Sequence, residues 1–201
     1  FKEVIIKRDI SRAEVAYIEE HKLDFPGLSI EVEPRRNYLF ENLASHLLGY
    51  MGEISETQLR SFRGNGYKPG DFVGQYGLEK EFESYLRGKL GRQEIEVDTY
   101  GRELRVIDEI EPIQGYNLVL TIDKKLQTLA EELLGNENGA IVAMNPQTGE
   151  ILAMATKPLF NPNLFAGGIG TGDWVQLTKN SNSPLTNRAI KGQYPPGSVF
   201  K

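Results

Sequence analysis

Ser198 and Lys201 are the two residues whose types and spacing most directly suggest chemistry. A serine hydroxyl is a weak nucleophile at neutral pH and reacts when a neighbouring base removes its proton. Residues three apart in a helix share one face, so the Lys201 amine would reach the Ser198 hydroxyl if a helix begins there. The free backbone amides of a helix start would also stabilise an oxyanion on an attacked carbonyl. The pair therefore predicts acyl transfer, with Ser198 as nucleophile and Lys201 as general base.

The residues just before Ser198 make this interpretation more specific. A serine and a lysine at this spacing occur by chance about once in a chain of this length, and an isolated match usually means a helix cap followed by a surface lysine. Here the preceding residues are Tyr194, Pro195, Pro196 and Gly197. Because the prolines hold the chain extended and the glycine frees it to turn, we expect an elbow that presents Ser198 at a helix start.

The elements upstream of this elbow have a regular pattern. Asp123 is the expected N-cap of a helix that ends at Leu134. This helix would bury one apolar stripe made of Leu126, Leu129, Leu133 and Leu134. Residues 140–144 and 151–155 are apolar runs joined by a turn sequence, typical of a hairpin inside a sheet that is covered on both faces. With a short helix near Trp174, they predict a sheet close to the Ser198 elbow that is incomplete within the chain.

The preceding part of the chain is less regular. Alternating or apolar runs predict strands over residues 4–6 and 28–33, and a hairpin over residues 92–98 and 103–110. Helices are expected over residues 12–21, 42–50, 56–62 and 78–86, the first and third opened by capping boxes at Ser11 and Ser55. A turn at Gln114 and Gly115 marks a boundary. We therefore predict an elongated α+β domain over residues 1–115 and a second domain over residues 116–201.

Composition excludes several classes of function. A net charge of -5 leaves no basic stripe to neutralise phosphates, so nucleic acid is not an expected partner. The chain has no cysteine, which excludes disulfides and cysteine metal sites. His21 and His46 are far apart in sequence and are predicted to be solvated helix residues. The glycine-rich residues 64–74 are not followed by the Gly-Lys-Ser/Thr sequence of a phosphate-binding loop. No metal and no organic cofactor is expected.

The two ends of the chain suggest a fragment. No stretch approaches the roughly 20 apolar residues that a membrane helix needs. The first residue is not methionine, and the chain opens within an apparent strand. We therefore expect that the parent protein extends beyond both ends.

Several segments, in order along the chain, resemble motifs of the class B penicillin-binding proteins, most of all those of the rod-elongation machinery. They are residues 12–16, 46–52, 77–79, 86–88, 145–153, 160–163, 187–189 and 194–201. The last contains the Ser-x-x-Lys spacing that is characteristic of penicillin-binding proteins. The resemblance covers nearly the whole chain. It implies that residues 1–115 are a pedestal of the dimerisation type, and that residues 116–201 are the N-terminal part of a transpeptidase α/β domain.

The resemblance also implies a function. The parent protein would be a peptidoglycan D,D-transpeptidase of cell-wall elongation, acylated on Ser198 by D-Ala-D-Ala stem peptides and by β-lactams, with Lys201 as proton acceptor. It would be a bitopic inner-membrane protein, anchored by a helix before Phe1, with this region in the periplasm. Its partners would be a MreC-type scaffold and a RodA-type glycan polymerase. The family's Ser-x-Asn and Lys-Thr-Gly motifs are absent from the sequence, so this polypeptide alone is expected not to acylate.

Two other interpretations remain open at this stage. In the first, the chain is a non-catalytic pedestal module that binds scaffold partners of the elongation complex. Exposed apolar residues in the helical pair over residues 43–62 would form its surface, unless they pack within the pedestal. In the second, the serine and lysine belong to a β-lactam sensor or a β-lactamase domain. The long upstream pedestal argues against a β-lactam sensor and against a β-lactamase.

Overall fold

The chain folds into short helices and strands. The computed structural model describes residues 4–32, 34–99, 103–195 and 197–199. In chain order the elements are α1 (Arg12–Glu20), α2 (Ser45–Leu48), β1 (Tyr50–Glu53), α3 (Glu56–Ser61), β2 (Phe72–Tyr76), α4 (Gly77–Glu81), α5 (Glu83–Leu86), β3 (Arg92–Val97), β4 (Glu103–Ile110), α6 (Lys124–Leu134), β5 (Gly139–Met144), β6 (Ile151–Lys157), α7 (Thr171–Lys179) and α8 (Arg188–Lys191). Short 3-10 turns span Pro162–Leu164 and Gly197–Val199. The described strands pair antiparallel as β1–β2, β3–β4 and β5–β6, which confirms the predicted α+β class.

The helix starts that depend on local capping residues lie where the sequence predicts them. The Ser11 hydroxyl accepts a hydrogen bond from the Glu14 amide, and the Glu14 carboxylate accepts one from the Ser11 amide. Ser55 and Gln58 form the same reciprocal pair at α3. The Asp123 carboxylate accepts from two amides in the first turn of α6. These bonds satisfy donors that a helix start otherwise leaves free, which is why the three caps act locally.

The two isolated strands predicted near the start of the chain are wrong for the described residues. Residues 4–6 and 28–32 are irregular, and the side chains of Val4, Ile6 and Val32 are 78%, 80% and 96% exposed. An alternating pattern becomes a strand only when a neighbouring edge supplies its backbone partners. The predicted hairpin over residues 92–98 and 103–110, in contrast, is confirmed as β3 and β4.

Two predicted helices are shorter or interrupted. The helix expected over residues 42–50 is reduced to α2, because Ala44 takes a left-handed conformation with φ 54° and Tyr50 already begins β1. The helix expected over residues 78–86 is divided at Phe82 into α4 and α5. In both places the chain turns to meet other elements, which overrides helix propensity.

Packing divides the chain into two units. The first combines the residues up to Arg35 with Arg87–Tyr116, and the second combines Arg36–Leu86 with Asn117–Lys201. In the first unit, α1 and the β3–β4 hairpin are the regular elements. Lys89 and Ile113 continue that hairpin, because each donates its amide to the other's carbonyl at 2.8 and 2.9 Å. The second unit carries Ser198, so it positions the candidate site.

The core of the second unit lies where α6 packs on β6. Ala130 of α6 and Ala153 and Ala155 of β6 are its buried residues. The predicted stripe on α6 is wrong for three of its four residues: Leu126, Leu129 and Leu133 are 41%, 49% and 72% exposed, whereas Leu134 is half-buried and packs against this core. The buried face carries Gln127, Ala130 and Glu131 instead. The helix therefore presents polar side chains to the sheet.

The hydrogen bonds of Gln127 explain why the buried face of α6 carries polar side chains. Its side-chain oxygen accepts from the Met154 amide at 2.7 Å, and its side-chain nitrogen donates to the Met154 carbonyl at 3.1 Å. In an antiparallel strand both backbone groups of one residue point to the same side. The Gln127 amide therefore takes the place that a neighbouring strand would have along β6.

The β5–β6 hairpin is confirmed, but its predicted cover on both faces is not found in the described part of the chain. Val142 and Met144 of β5 are 48% and 55% exposed. Burial is concentrated on β6, where Ala153, Ala155 and Thr156 are buried.

Candidate active site

Ser198 lies in a short 3-10 turn rather than at the start of a regular helix. The turn spans Gly197–Val199, and Ser198 is exposed. Gly197 has φ 58°, a left-handed conformation that glycine adopts without a steric penalty. The glycine is thus what allows the predicted elbow to turn at this point. Lys201, the predicted general base, lies outside the described residues, so its contact with Ser198 stays a prediction.

The segment that leads to Ser198 is attached to β6 through Asn187. The side-chain oxygen of Asn187 accepts from the Thr156 hydroxyl at 3.3 Å, and its side-chain nitrogen donates to the His46 carbonyl at 3.2 Å. The Thr156 hydroxyl in turn accepts from the Ala189 amide in α8 at 3.3 Å. Thr156 and Asn187 are each 1% exposed. This buried polar cluster holds the first turn of α8 against the sheet.

His46 is buried, which contradicts the prediction that it is a solvated helix residue. It is 3% exposed, and its ring meets Phe160 edge to face with centroids 5.1 Å apart. Its Nε2 lies 2.7 Å from the Pro184 carbonyl. Since a carbonyl can only accept a hydrogen bond, Nε2 carries the proton, and in the neutral ring Nδ1 is unprotonated. The pKa of His46 is lowered, mainly by burial. The hydrogen bond to Pro184 raises this pKa, and the positive charge of Arg188 lowers it.

Three glycines allow the chain to cross itself near this cluster. Gly49 has φ 83°, and a Cβ placed on it would lie 1.8 Å from the Tyr76 carbonyl oxygen. A Cβ on Gly77, at φ 61°, would lie 2.6 Å from the Leu47 carbonyl oxygen. A Cβ on Gly74 would lie 2.1 Å from the carbonyl oxygen of Glu79. No side chain fits at such distances, so residues 46–52 and 77–79 can pack together only with glycine at these positions.

Asn163, in the 3-10 turn after β6, binds the backbone of Tyr38. Its side-chain oxygen accepts from the Tyr38 amide at 2.9 Å, and its side-chain nitrogen donates to the Tyr38 carbonyl at 3.0 Å. The Tyr38 hydroxyl donates to Glu79 at 3.2 Å, and Arg36 pairs with the same carboxylate at 2.8 Å. Burial, and then the negative charge of Glu79, raise the pKa of Tyr38. These bonds fix residues 36–38 against both α4 and the region after β6.

The apolar side chains suggested as a partner-binding surface are less exposed than expected. Leu43, Leu47, Leu59 and Phe62 are half-buried, and Phe62 stacks on Tyr67 with ring centroids 5.0 Å apart. These side chains therefore pack within the unit, which was the alternative to a docking surface.

Sequence reasoning missed the roles of Gln127, Thr156 and His46. Each is a polar residue in or beside an apolar run, and each binds backbone groups that are distant in sequence. A polar residue within or beside an apolar run is the only signal that the sequence offers. It identifies no partner, because the partner is a backbone group.

Comparison with protein families extends these observations. The penicillin-binding protein dimerisation domain matches residues 1–120, and the penicillin-binding protein transpeptidase domain matches residues 139–201. The peptidoglycan D,D-transpeptidase MrdA of Acinetobacter baumannii is 40% identical over 198 residues, which cover 98% of this chain and 30% of that protein. The chain thus spans about a third of the length of the curated relatives it matches.

Solved structures similar to this chain are also penicillin-binding proteins. A complex between penicillin-binding protein 2 and MreC from Helicobacter pylori has a TM-score of 0.78 at 35% identity, and the match covers 94% of this chain and 35% of that one. Penicillin-binding protein 2 of Pseudomonas aeruginosa in complex with WCK 5153 has a TM-score of 0.70 at 34% identity, and the match covers 85% of this chain and 34% of that one.

None of the helices within the described ranges has the length and apolar character that a membrane crossing requires. The first family match covers more than half of the chain, and the relatives above share both its sequence and its fold. The chain therefore belongs to the penicillin-binding proteins, with a dimerisation domain followed by the start of a transpeptidase domain of the penicillin-binding protein 2 type.

Proposed function

We propose that the chain is part of a peptidoglycan D,D-transpeptidase of cell-wall elongation, and that Ser198 is the nucleophile. The observation that carries this proposal is the place of Ser198, exposed on a glycine-initiated turn inside the stretch that matches the transpeptidase domain. The relatives named peptidoglycan D,D-transpeptidase support the reaction. We also propose that residues 1–115 form the pedestal and that residues 116–201 begin the transpeptidase domain, which the family matches over residues 1–120 and 139–201 support.

The reaction follows from the chemistry of serine and an amine base. The Ser198 oxygen attacks the carbonyl carbon of the penultimate D-Ala of a stem peptide, and its proton passes to the Lys201 amine. The bond to the terminal D-Ala then breaks, and the leaving nitrogen takes up that proton. An amine of a second stem peptide attacks the resulting ester, which forms the cross-link and restores the Ser198 hydroxyl. The same attack opens a β-lactam ring and leaves the opened drug attached to Ser198.

The 201-residue polypeptide by itself does not acylate in this proposal. Its sequence contains neither a Ser-x-Asn nor a Lys-Thr-Gly motif. In the family these motifs hold the substrate strand and complete the oxyanion site. Ser198 in this unit is open to solvent, so a substrate would be held from one side only.

Labelling of the full-length protein with a fluorescent penicillin tests the proposal. We expect stoichiometric label on a peptide that contains Ser198, and loss of that label in Ser198→Ala. Ser181→Ala, a change at another exposed serine, is the matched control and should label normally. Label that persists in Ser198→Ala would refute the assigned nucleophile. Stoichiometric labelling of the 201-residue polypeptide at Ser198 would refute its predicted inactivity.

The same proposal includes a location and partners. We infer a bitopic inner-membrane protein, anchored by an N-terminal helix, with this region in the periplasm, a MreC-type scaffold and a RodA-type glycan polymerase as partners, and no metal or organic cofactor. The solved complex of a relative with MreC supports the scaffold. The rival interpretation is a non-catalytic module that binds the scaffold. A full-length protein that binds the scaffold but takes up no penicillin would favour that rival.

A further inference from the structure

The junction between β6 and α8 is held by two buried side chains, Thr156 and Asn187. Asn187 precedes α8 and stands at its N-cap position, where an asparagine side chain usually accepts from an amide of the first turn. Here it makes no such bond, because its oxygen receives the Thr156 hydroxyl and its nitrogen is directed to the His46 carbonyl. The Asn187 side chain thus joins three segments of the unit.

Thr156 supplies the cap that Asn187 does not. The Ala189 amide is one of the donors that the start of α8 leaves free, and it donates to the Thr156 hydroxyl. The hydroxyl therefore donates to Asn187 and accepts from Ala189 at the same time. Thr156 of β6 therefore caps the helix from outside, and this fixes the position of α8 relative to β6.

The path from α8 to Ser198 is short and tightly folded at its beginning. The Gly192 amide donates to the Arg188 carbonyl at 3.1 Å. A Cβ on Gly192 would lie 2.5 Å from that carbonyl oxygen and 2.5 Å from the ring of Tyr194. The first residue after α8 is therefore held to the helix by a backbone hydrogen bond, and the ring of Tyr194 lies against it. Among the described elements, α8 is the last helix or strand before the turn that carries Ser198.

We propose that Thr156 and Asn187 are positioning residues for Ser198, acting through α8 from the buried end of the cluster. The inference rests on the proposed function, because it assumes that Ser198 reacts. Neither side chain would touch substrate. Each would hold α8, and with it the entry to the Ser198 turn, in the orientation from which the serine attacks. Small displacements of a reacting group cost about tenfold to a hundredfold in rate, so the attachment should be visible in the kinetics.

Paired substitutions at Thr156 test the hydroxyl apart from the shape of the side chain. Thr156→Val keeps the branched shape and removes both hydrogen bonds, whereas Thr156→Ser keeps the hydroxyl. In the full-length protein we expect the second-order rate constant for acylation by a fluorescent penicillin to fall at least about tenfold in Thr156→Val. Thr156→Ser should restore it to within about threefold of the wild type, since the serine hydroxyl can make both bonds. Thr57→Val, at an exposed position in α3, is the matched control and should acylate at the wild-type rate.

The rate is measured per folded molecule, with the folded fraction taken from the final stoichiometry of label. If Thr156→Val acylates within about twofold of the wild type, or if Thr156→Ser is as slow as Thr156→Val, the positioning role is refuted. If Thr156→Val does not fold, Thr156→Ala replaces it with the same two expectations. A wild-type protein that takes up no label at Ser198 would refute the proposed function itself. Normal labelling of the wild type with unchanged rates in the variants would refute only the positioning role.

Discussion

Replacing Gln127 by methionine tests whether the polar face of α6 holds β6 in place. Methionine has a similar length and volume, so the change removes hydrogen bonds without opening a large cavity. It leaves the Met154 amide and carbonyl without their Gln127 partners. It also removes the bond from the Gln127 side-chain nitrogen to Glu131, 2.8 Å long, although Glu131 keeps the Ala44 amide.

The expected cost follows from these three lost bonds. Leaving a buried backbone group without a partner costs about 1–3 kcal/mol, and the Glu131 carboxylate loses one of two donors. We therefore expect Gln127→Met to lower the free energy of unfolding of this unit by about 3 kcal/mol. Because Gln127 is 1% exposed, water cannot replace the lost partners without local opening.

Hydrogen exchange at the Met154 amide is the most direct assay, because the chain has two packing units and a single unfolding transition need not report on one of them. A loss of about 3 kcal/mol corresponds to exchange that is roughly a hundredfold faster. Gln147→Met, on the exposed turn between β5 and β6, is the matched control and should change stability by less than about 0.5 kcal/mol. A Met154 amide that stays equally protected in Gln127→Met would show that the side-chain bridge is not what holds β6.

Two further predictions concern stability. Gly49→Ala should lower the thermal unfolding midpoint far more than Gly64→Ala: both glycines have positive φ, at 83° and 94°, but only the Gly49 Cβ would meet a backbone atom, whereas that of Gly64 meets nothing within 4 Å. The strain of a left-handed alanine alone costs about 1–2 kcal/mol, so equal shifts in the two variants would contradict the crossing argument. The second concerns His46, whose pKa is lowered by burial. As pH falls through the ordinary histidine value of about 6.5, the unfolded chain takes up a proton more readily than the folded one, so the free energy of unfolding should decrease. His46→Gln should remove part of this decrease in denaturant titrations between about pH 7 and 5.5; an unchanged slope in His46→Gln would contradict the assigned burial effect.

The features that sequence reasoning located correctly depend on residues close together in the chain. Ser11 and Glu14 form a capping box wherever a helix follows, since each partner lies within one turn of the other. The β5–β6 hairpin is set by apolar runs and the turn between them. The predicted strands over residues 4–6 and 28–33 failed because an edge to pair with cannot be read from a local pattern.

The failure on α6 has a different cause. Periodicity assigned burial to Leu126, Leu129, Leu133 and Leu134, of which only Leu134 packs against the core, because it assumes that a helix meets apolar side chains. Here the helix meets the backbone edge of β6, and a backbone edge requires hydrogen-bonding partners. Gln127 was therefore the residue to bury, and nothing in the local pattern distinguishes that outcome. His46 was misassigned for the same reason, since its partner is the carbonyl of Pro184.

In the candidate site, motifs that are separate in the sequence contact one another. The motif over residues 46–52 and the motif over residues 187–189 lie far apart in sequence, yet the His46 carbonyl receives a hydrogen bond from Asn187. The motif over residues 160–163 likewise ends in Asn163, which binds the backbone of Tyr38. Motifs from both family domains are thus partners in one packing unit. The family matches cover residues 1–120 and 139–201, whereas the division by contacts places residues 36–86 with residues 117–201. It follows that the segment carrying Ser198 rests on residues contributed by both parts of the sequence.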